Sequence, residues 1–330
     1  MAGLHTRVCT ISDALIMRCL PASWRQFSPQ VVLLAVSVGI YLPLCCSYAP
    51  LFTSEDCGQF VHYIVTDDSD IPRFFFTSCW GATVQPEGFY RPLMQLHFHL
   101  LYRWFGLAAF PLHFSCLLLF LLVIQAAYAF AFGLFCQRHA AVLSALLVIM
   151  HPATSHNIFF SHNSGDLLLA LFFMLTLLCC QQNRHPLLTA GMMLCAFASK
   201  ETGYVLPPLI LLYEIIIRQL SPRESIRKHR VMIFLTAAFA CFRLVLFNGV
   251  GGYGASVHRI DFAIAGKLLF KIKLCAASFH PMFAAVVALL LVLMLLLPAR
   301  KEADDQAEVV DFVYSVIVML LLALLVLGSL

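Results

Sequence analysis

LAAFPLHFSCLLLFLLVIQAAYAFAFGL, residues 107–134, contains no Asp, Glu, Lys or Arg. About 20 mostly apolar residues in a helix cross the hydrocarbon core of a bilayer. A helix also satisfies its own backbone polar groups, which lipid cannot do. The stretch therefore predicts a membrane-spanning helix. Working outward, similar apolar runs fall at about 31–48, 139–152, 164–180, 187–199, 203–217, 231–248, 279–298 and 311–330, so about nine spans are expected. The 139–152 and 187–199 runs are short and need tilt, or ends buried against neighbours.

Composition agrees. Hydrophobic residues make up 61% of the 330 residues and charged residues only 12%, with a mean hydropathy of +0.88. A soluble domain of this size carries about twice that charge. The fold class is all-α, a polytopic membrane protein. The thirteen cysteines follow no zinc or redox spacing, and most lie in or beside apolar runs, where cysteine acts as a small hydrophobe. Cys57 and Cys79 share one loop and could pair on an oxidising side. No basic-aromatic surface points to nucleic acid, and no nucleotide-binding Rossmann pattern is visible.

The basic residues orient the chain. With a cytoplasmic amino terminus, twelve of the 21 Lys and Arg fall on the cytoplasmic side, five of them in Arg218, Arg223, Arg227, Lys228 and Arg230. Such clustering in short loops is the positive-inside pattern. Residues 1–30 form a cytoplasmic lead without a cleavage pattern. Residues 49–106 form a large outer loop, and 31–255 form the core. Residues 256–330 hold two further spans after an interfacial helix, in which Arg259, Lys267, Lys271 and Lys273 interleave with Phe262, Leu269, Phe270 and Ile272. The working face is then periplasmic, extracellular or lumenal.

That topology puts Glu55, Asp56, Arg91, His151, His156, His162, Asp166, Lys200 and Glu201 on the outer side. The adjacent acids Glu55 and Asp56 could supply a general base, or hold a divalent cation, or cap a helix opening at Thr53-Ser54. Tyr90-Arg91-Pro92 reads as a helix start, with Pro92 at the first position and Arg91 at an anion-favouring lip. Arg91 pairs either with a phosphate or with an acid of its own loop. His151, His156 and His162 have spacings that suit no zinc helix; hydrogen bonding to a sugar or phosphate fits better. Asp166 falls at a helix start, and the 151–166 stretch reads as a polar loop. Lys200 beside Glu201 at a membrane boundary is costly unless paired or functional. It meets a lipid phosphate, or it pairs with Glu201, Glu55 or Asp56. Arg243, inside an apolar run, calls for an anionic partner or for snorkelling to the interface.

In order along the chain, the assembled motifs are Glu55-Asp56, Tyr90-Arg91-Pro92-Leu93, His151-Pro152 with Gly165-Asp166-Leu167-Leu168, Ser199-Lys200-Glu201-Thr202 with Leu206-Pro207 and Leu212-Tyr213-Glu214, and Arg243 with Gly251-Gly252-Tyr253-Gly254. The chain thereby resembles the GT-C superfamily of membrane glycosyltransferases. The likeness is to the transmembrane tetratricopeptide-repeat O-mannosyltransferase branch and its bacterial relatives, without the repeats. The resemblance covers about residues 30–255. It implies a GT-C helical bundle with amphipathic outer-loop helices, and transfer of a sugar from a polyprenyl- or dolichyl-phosphate donor to a hydroxyl on a protein, glycan or lipid acceptor. It also implies Asp56 or Glu55 as base, Arg91, Lys200 and Arg243 as donor-phosphate ligands, and Tyr90, His151, His156, His162, Asp166 and Glu201 around the pocket. Relatives often carry an acid near His156 and an arginine near Ser164, and this chain has neither. A transporter or lipid flippase, or an inactive scaffold, is the alternative expectation.

Overall fold

The computed structural model describes residues 28–48, 68–77, 79 and 89–247. Glu55, Asp56 and Cys57, the Gly-rich run after Asn248, the interfacial helix and the last two expected spans lie outside the described residues.

Among the described residues the architecture is all-helical. In chain order the helices are α1 (Pro29–Tyr48), α2 (Pro92–Phe105), α3 (Ala109–Phe135), α4 (Arg138–Met150), α5 (Pro152–Phe159), α6 (Ser164–Gln181), α7 (Pro186–Ser199), α8 (Leu206–Ile216), α9 (Pro222–Lys228) and α10 (Arg230–Phe247). Short 3-10 helices occupy Asp68–Phe75, Ser161–Asn163 and Glu201–Val205. Four helical segments, Pro29–Ser47, Ala109–Phe135, Ser161–Gln181 and Arg230–Phe247, are long and apolar enough to cross a membrane. They point to a membrane protein.

The shorter segments have local causes. α4 stops because Pro152 pushes His151 into extended backbone, at φ −69° and ψ 129°. The freed carbonyl of Ile149 accepts a 2.6 Å hydrogen bond from the buried Tyr41 hydroxyl, which covers a helix end that lacks intrahelical donors. Pro152 is then preorganised for a first helical turn, and residues 152–159 form α5 rather than the expected polar loop. The expected 203–217 run is divided in the same way. Pro207 sits in the first turn of α8, so a 3-10 turn precedes an 11-residue helix.

Two apolar cores hold the bundle. Leu33 and Tyr41 of α1 pack with Phe120 and Ile124 of α3 and with Ile149 of α4. Phe173 and Leu177 of α6 pack with Met193 and Phe197 of α7, Ile210 of α8 and Met232 of α10. α3 and α6 run parallel, because Gln181 at the end of α6 donates to the Phe130 carbonyl near the end of α3, at 3.1 Å. The starts of α3 and α6 therefore share one end of the bundle with the finish of α7. A third cluster, Cys79, Phe89, Met94, Phe98 and Leu112, packs α2 against that same end.

Candidate functional site

The site is built where these helix ends meet. Gly165, in the first turn of α6, lets the helix approach α7 and α2 closely. A Cβ there would stand 3.2 Å from the Ser199 carbonyl and 3.1 Å from the Met94 sulfur. That approach brings Asp166 to Lys200, whose Nζ donates to Asp166 Oδ1. Gly203 does the same for the next turn, since a Cβ there would meet the Ala196 carbonyl at 3.0 Å. The 3-10 turn can therefore fold back on α7 and turn Glu201 toward Arg91.

Arg91, at the N-cap of α2 with Pro92 following, grips Glu201. Its Nε donates to Oε2 at 3.1 Å and to Oε1 at 3.3 Å, and its Nη2 donates to Oε2 at 2.9 Å. This is the two-pronged geometry that suits guanidinium to carboxylate. The Phe89 ring lies 4.6 Å from the guanidinium carbon. Burial works against the charge on Arg91, but the Glu201 carboxylate more than reverses that, so its pKa ends above the ordinary arginine value. Cys79 is buried nearby, and burial pushes its thiol up to about 12.

Arg243 reaches the cluster from α10. Its Nη2 lies 4.0 Å from Glu201 Oε1, and its guanidinium stands over the Tyr204 and Phe247 rings at 5.7 and 5.8 Å. Its Nε is buried without a hydrogen-bond partner among the described residues. Arg91, Lys200, Arg243, Asp166 and Glu201 thus gather at one end of the bundle, three cationic side chains with two acidic ones. The buried hydroxyls of Ser164 and Thr202, beside Gly165 and Glu201 in the chain, also lack partners among the described residues.

The remaining sequence candidates surround this cluster or stand apart from it. Tyr90 is buried; its hydroxyl donates to the Phe75 carbonyl at 3.1 Å. Its ring packs edge-on to Phe239 and Phe242 of α10 at 5.5 and 5.7 Å. His156 is exposed, stacks on Phe160 at 4.4 Å and shares a 2.9 Å hydrogen bond with Asn163. His162 meets the same Phe160 ring edge-on at 5.8 Å, and His151 ends α4. No described group of three or more His, Cys, Asp or Glu is arranged to hold a metal ion.

Two pairings differ from the sequence expectation. Lys200 bonds Asp166, not its neighbour Glu201. Its backbone is extended, at φ −159° and ψ 152°, and successive residues of an extended segment point to opposite sides. Arg91 pairs with Glu201, 110 positions away, rather than with an acid of its own loop. Tyr204 and Phe247, which frame Arg243, carried no signal in the sequence beyond being aromatic.

A second ionic cluster closes the opposite end of the bundle. Glu214, fully buried near the end of α8, accepts from Lys228 Nζ at 2.9 Å through both oxygens. His229 Nε2 lies 3.2 Å away and Arg218 Nη1 3.6 Å away. Arg218 also donates to Asn183 Oδ1 at 2.8 Å and to the Gln181 carbonyl at 2.9 Å. Burial holds the His229 pKa below the ordinary histidine value. The acid inside apolar Leu206–Ile217 was the available signal for this cluster.

Fold and site together define a helical membrane protein with a paired-charge cluster at each end of its bundle. The chain matches no protein-family model, no curated protein and no solved structure.

Proposed function

We propose that this chain is a GT-C-type membrane glycosyltransferase of about nine spans with a cytoplasmic amino terminus. It moves a sugar from a polyprenyl- or dolichyl-phosphate donor to a hydroxyl acceptor at the outer or lumenal face. The observation that carries this reading is the gathering of Arg91, Lys200 and Arg243 at one end of the bundle, with two acids for three cations and an Arg243 Nε without a partner among the described residues.

The chemistry follows from the charges. The acceptor hydroxyl loses its proton to Asp56 or Glu55, its oxygen bonds to the anomeric carbon, and the lipid phosphate leaves with the electrons of the broken glycosidic bond. Positive side chains placed where that phosphate charge develops lower the barrier. Arg243 holds the phosphate, while Arg91 and Lys200, anchored by Glu201 and Asp166, keep the surrounding potential positive. Tyr90, Tyr204 and the histidines of the 151–162 stretch offer hydrogen-bonding groups for the sugar. A transporter or flippase would carry charged groups through the depth of the bundle. Asp166, Arg243 and Glu214 instead sit near helix ends, which supports the transferase reading.

The test is to incubate the purified protein in nanodiscs with radiolabelled polyprenyl- and dolichyl-phosphate sugars. Transfer or donor hydrolysis that disappears in an Asp56→Ala, Glu55→Ala double variant is expected. No turnover with any donor, together with full complementation in cells by that variant, would refute the proposal.

A further inference from the structure

The corner between α2 and α3 exposes an unusual run of large apolar groups. Trp104 is 70% exposed, Leu107 59%, Phe105 53% and Phe110 41%. The chain turns between the two helices at Gly106, whose φ is +61°, a conformation that glycine adopts without the Cβ penalty. Trp104 and Phe105 meet edge-on at 6.5 Å at the end of α2, and Phe110 stacks on Phe114 at 5.7 Å in the first turns of α3. The four exposed groups fall within seven consecutive residues on either side of the turn at Gly106.

What covers this patch follows from two lengths. α3 has 27 residues without Asp, Glu, Lys or Arg, about 40 Å at 1.5 Å per residue, against a hydrocarbon core of about 30 Å. The excess of about 10 Å is enough for the start of α3 to extend into the headgroup region. α2 meets the bundle end that carries the ion cluster at both of its own ends. Arg91 binds Glu201 there, and Phe105 leads into the start of α3. Its 14 residues, about 21 Å long, therefore lie across that end rather than through the membrane.

We propose that the α2–α3 corner is an interface anchor, with Trp104 and Phe105 seated at the headgroup–acyl boundary of phospholipids and Leu107 and Phe110 in the upper acyl region. This inference rests on the membrane-spanning reading of α3 and not on sugar transfer. Indole rings favour this zone because one face is apolar while the N–H stays hydrated. Arg103 beside them, in the last turn of α2, suits the phosphate level. The anchor gives α2 a second function. It fixes the helix at a set depth, and so holds Arg91 and its partners at headgroup height, where a lipid-linked phosphate would lie.

The chain has three tryptophans, Trp24, Trp80 and Trp104, so depth can be read directly. A Trp24→Phe, Trp80→Phe variant is reconstituted in phosphatidylcholine vesicles brominated at graded acyl positions. Its emission should lose its largest share with bromines nearest the headgroups, progressively less with deeper ones, and little with aqueous iodide. A maximum at the deepest bromine would overturn the proposal. Strong iodide quenching without bromine quenching would overturn it too, as would resistance to both, which would mean that protein covers the patch. Should the double variant fold poorly, the difference in quenching between wild type and Trp104→Phe gives the same depth profile, and the same results support or overturn the anchor.

Discussion

The two ends of the bundle solve the problem of charge beside lipid in opposite ways. At the Glu214 end the acid is sealed, with no exposed side-chain surface, and its cations stand outside it, 26% exposed at Arg218 and 32% at Lys228. Those cations also find Asn183 and backbone carbonyls, so their donors are satisfied within the fold. At the Glu201 end the acid itself keeps 20% of its surface, and Arg243 reaches it only at 4.0 Å. Breaking a buried ion pair costs several kcal/mol, because it leaves a charge without compensation. The sealed end is therefore a staple joining α8, α9, α10 and the α6–α7 turn. At the other end Arg243 is the loosely held cation, which is what the proposed binding of a further anion there requires.

This contrast is open to direct attack. The largest effect is expected from Arg243→Ala, which should lower sugar transfer by about 100-fold or more, the scale of losing one preorganised charge contact in a transition state, while leaving detergent elution unchanged. Glu214→Gln should do the reverse. It should cost about 3–5 kcal/mol of stability and lower the melting temperature by roughly 10 °C, with transfer per folded molecule preserved. Equal losses of activity in both variants would erase the distinction between staple and site.

Glu201→Gln should be milder. Its partial exposure brings the expected loss down to about 1–3 kcal/mol. Removing its charge should tighten binding of a lipid monophosphate by about threefold, since a like-signed group beside the ligand is gone. The smallest effect is a pH window. His97 shares a 3.2 Å hydrogen bond with Ser115 in the seam between α2 and α3, and burial pushes its pKa down to about 4 from an ordinary 6.5. Its folded pKa is depressed, so the unfolded chain takes up the proton first on acidification. Its contribution to stability is full above pH 6.5 and is lost progressively as pH falls toward 4. Melting curves of the His97→Gln variant should lack that slope.

Much of the helical framework was legible because an uninterrupted apolar run needs no knowledge of its neighbours. The runs at 31–48, 107–134, 164–180 and 231–248 each overlie a helix long enough to cross a membrane. The runs at 139–152 and 203–217 overreach the helices they contain, because the prolines at 152 and 207 reset where a helix can begin. Counting spans also brings Arg91, Asp166, Lys200 and Glu201 to one side. Which acid meets which cation was not legible. The Lys200–Asp166 contact depends on Gly165 passing close to the Ser199 carbonyl, and Arg91–Glu201 depends on a 3-10 turn folding back over α7. Glu214 was legible as an anomaly, an acid in an apolar helix, but its partner Lys228 belongs to a separate short helix.

The central claim is that the Glu201 end, and not the Glu214 end, holds a lipid-linked phosphate. Native mass spectrometry with polyprenyl monophosphate tests it on three proteins: wild type, Arg243→Ala and Arg218→Ala. Wild type and Arg218→Ala should retain the lipid equally, while Arg243→Ala should lose at least about tenfold in affinity, the scale of one charge-assisted contact. Retention by Arg243→Ala at the wild-type level, or loss only in Arg218→Ala, would contradict it.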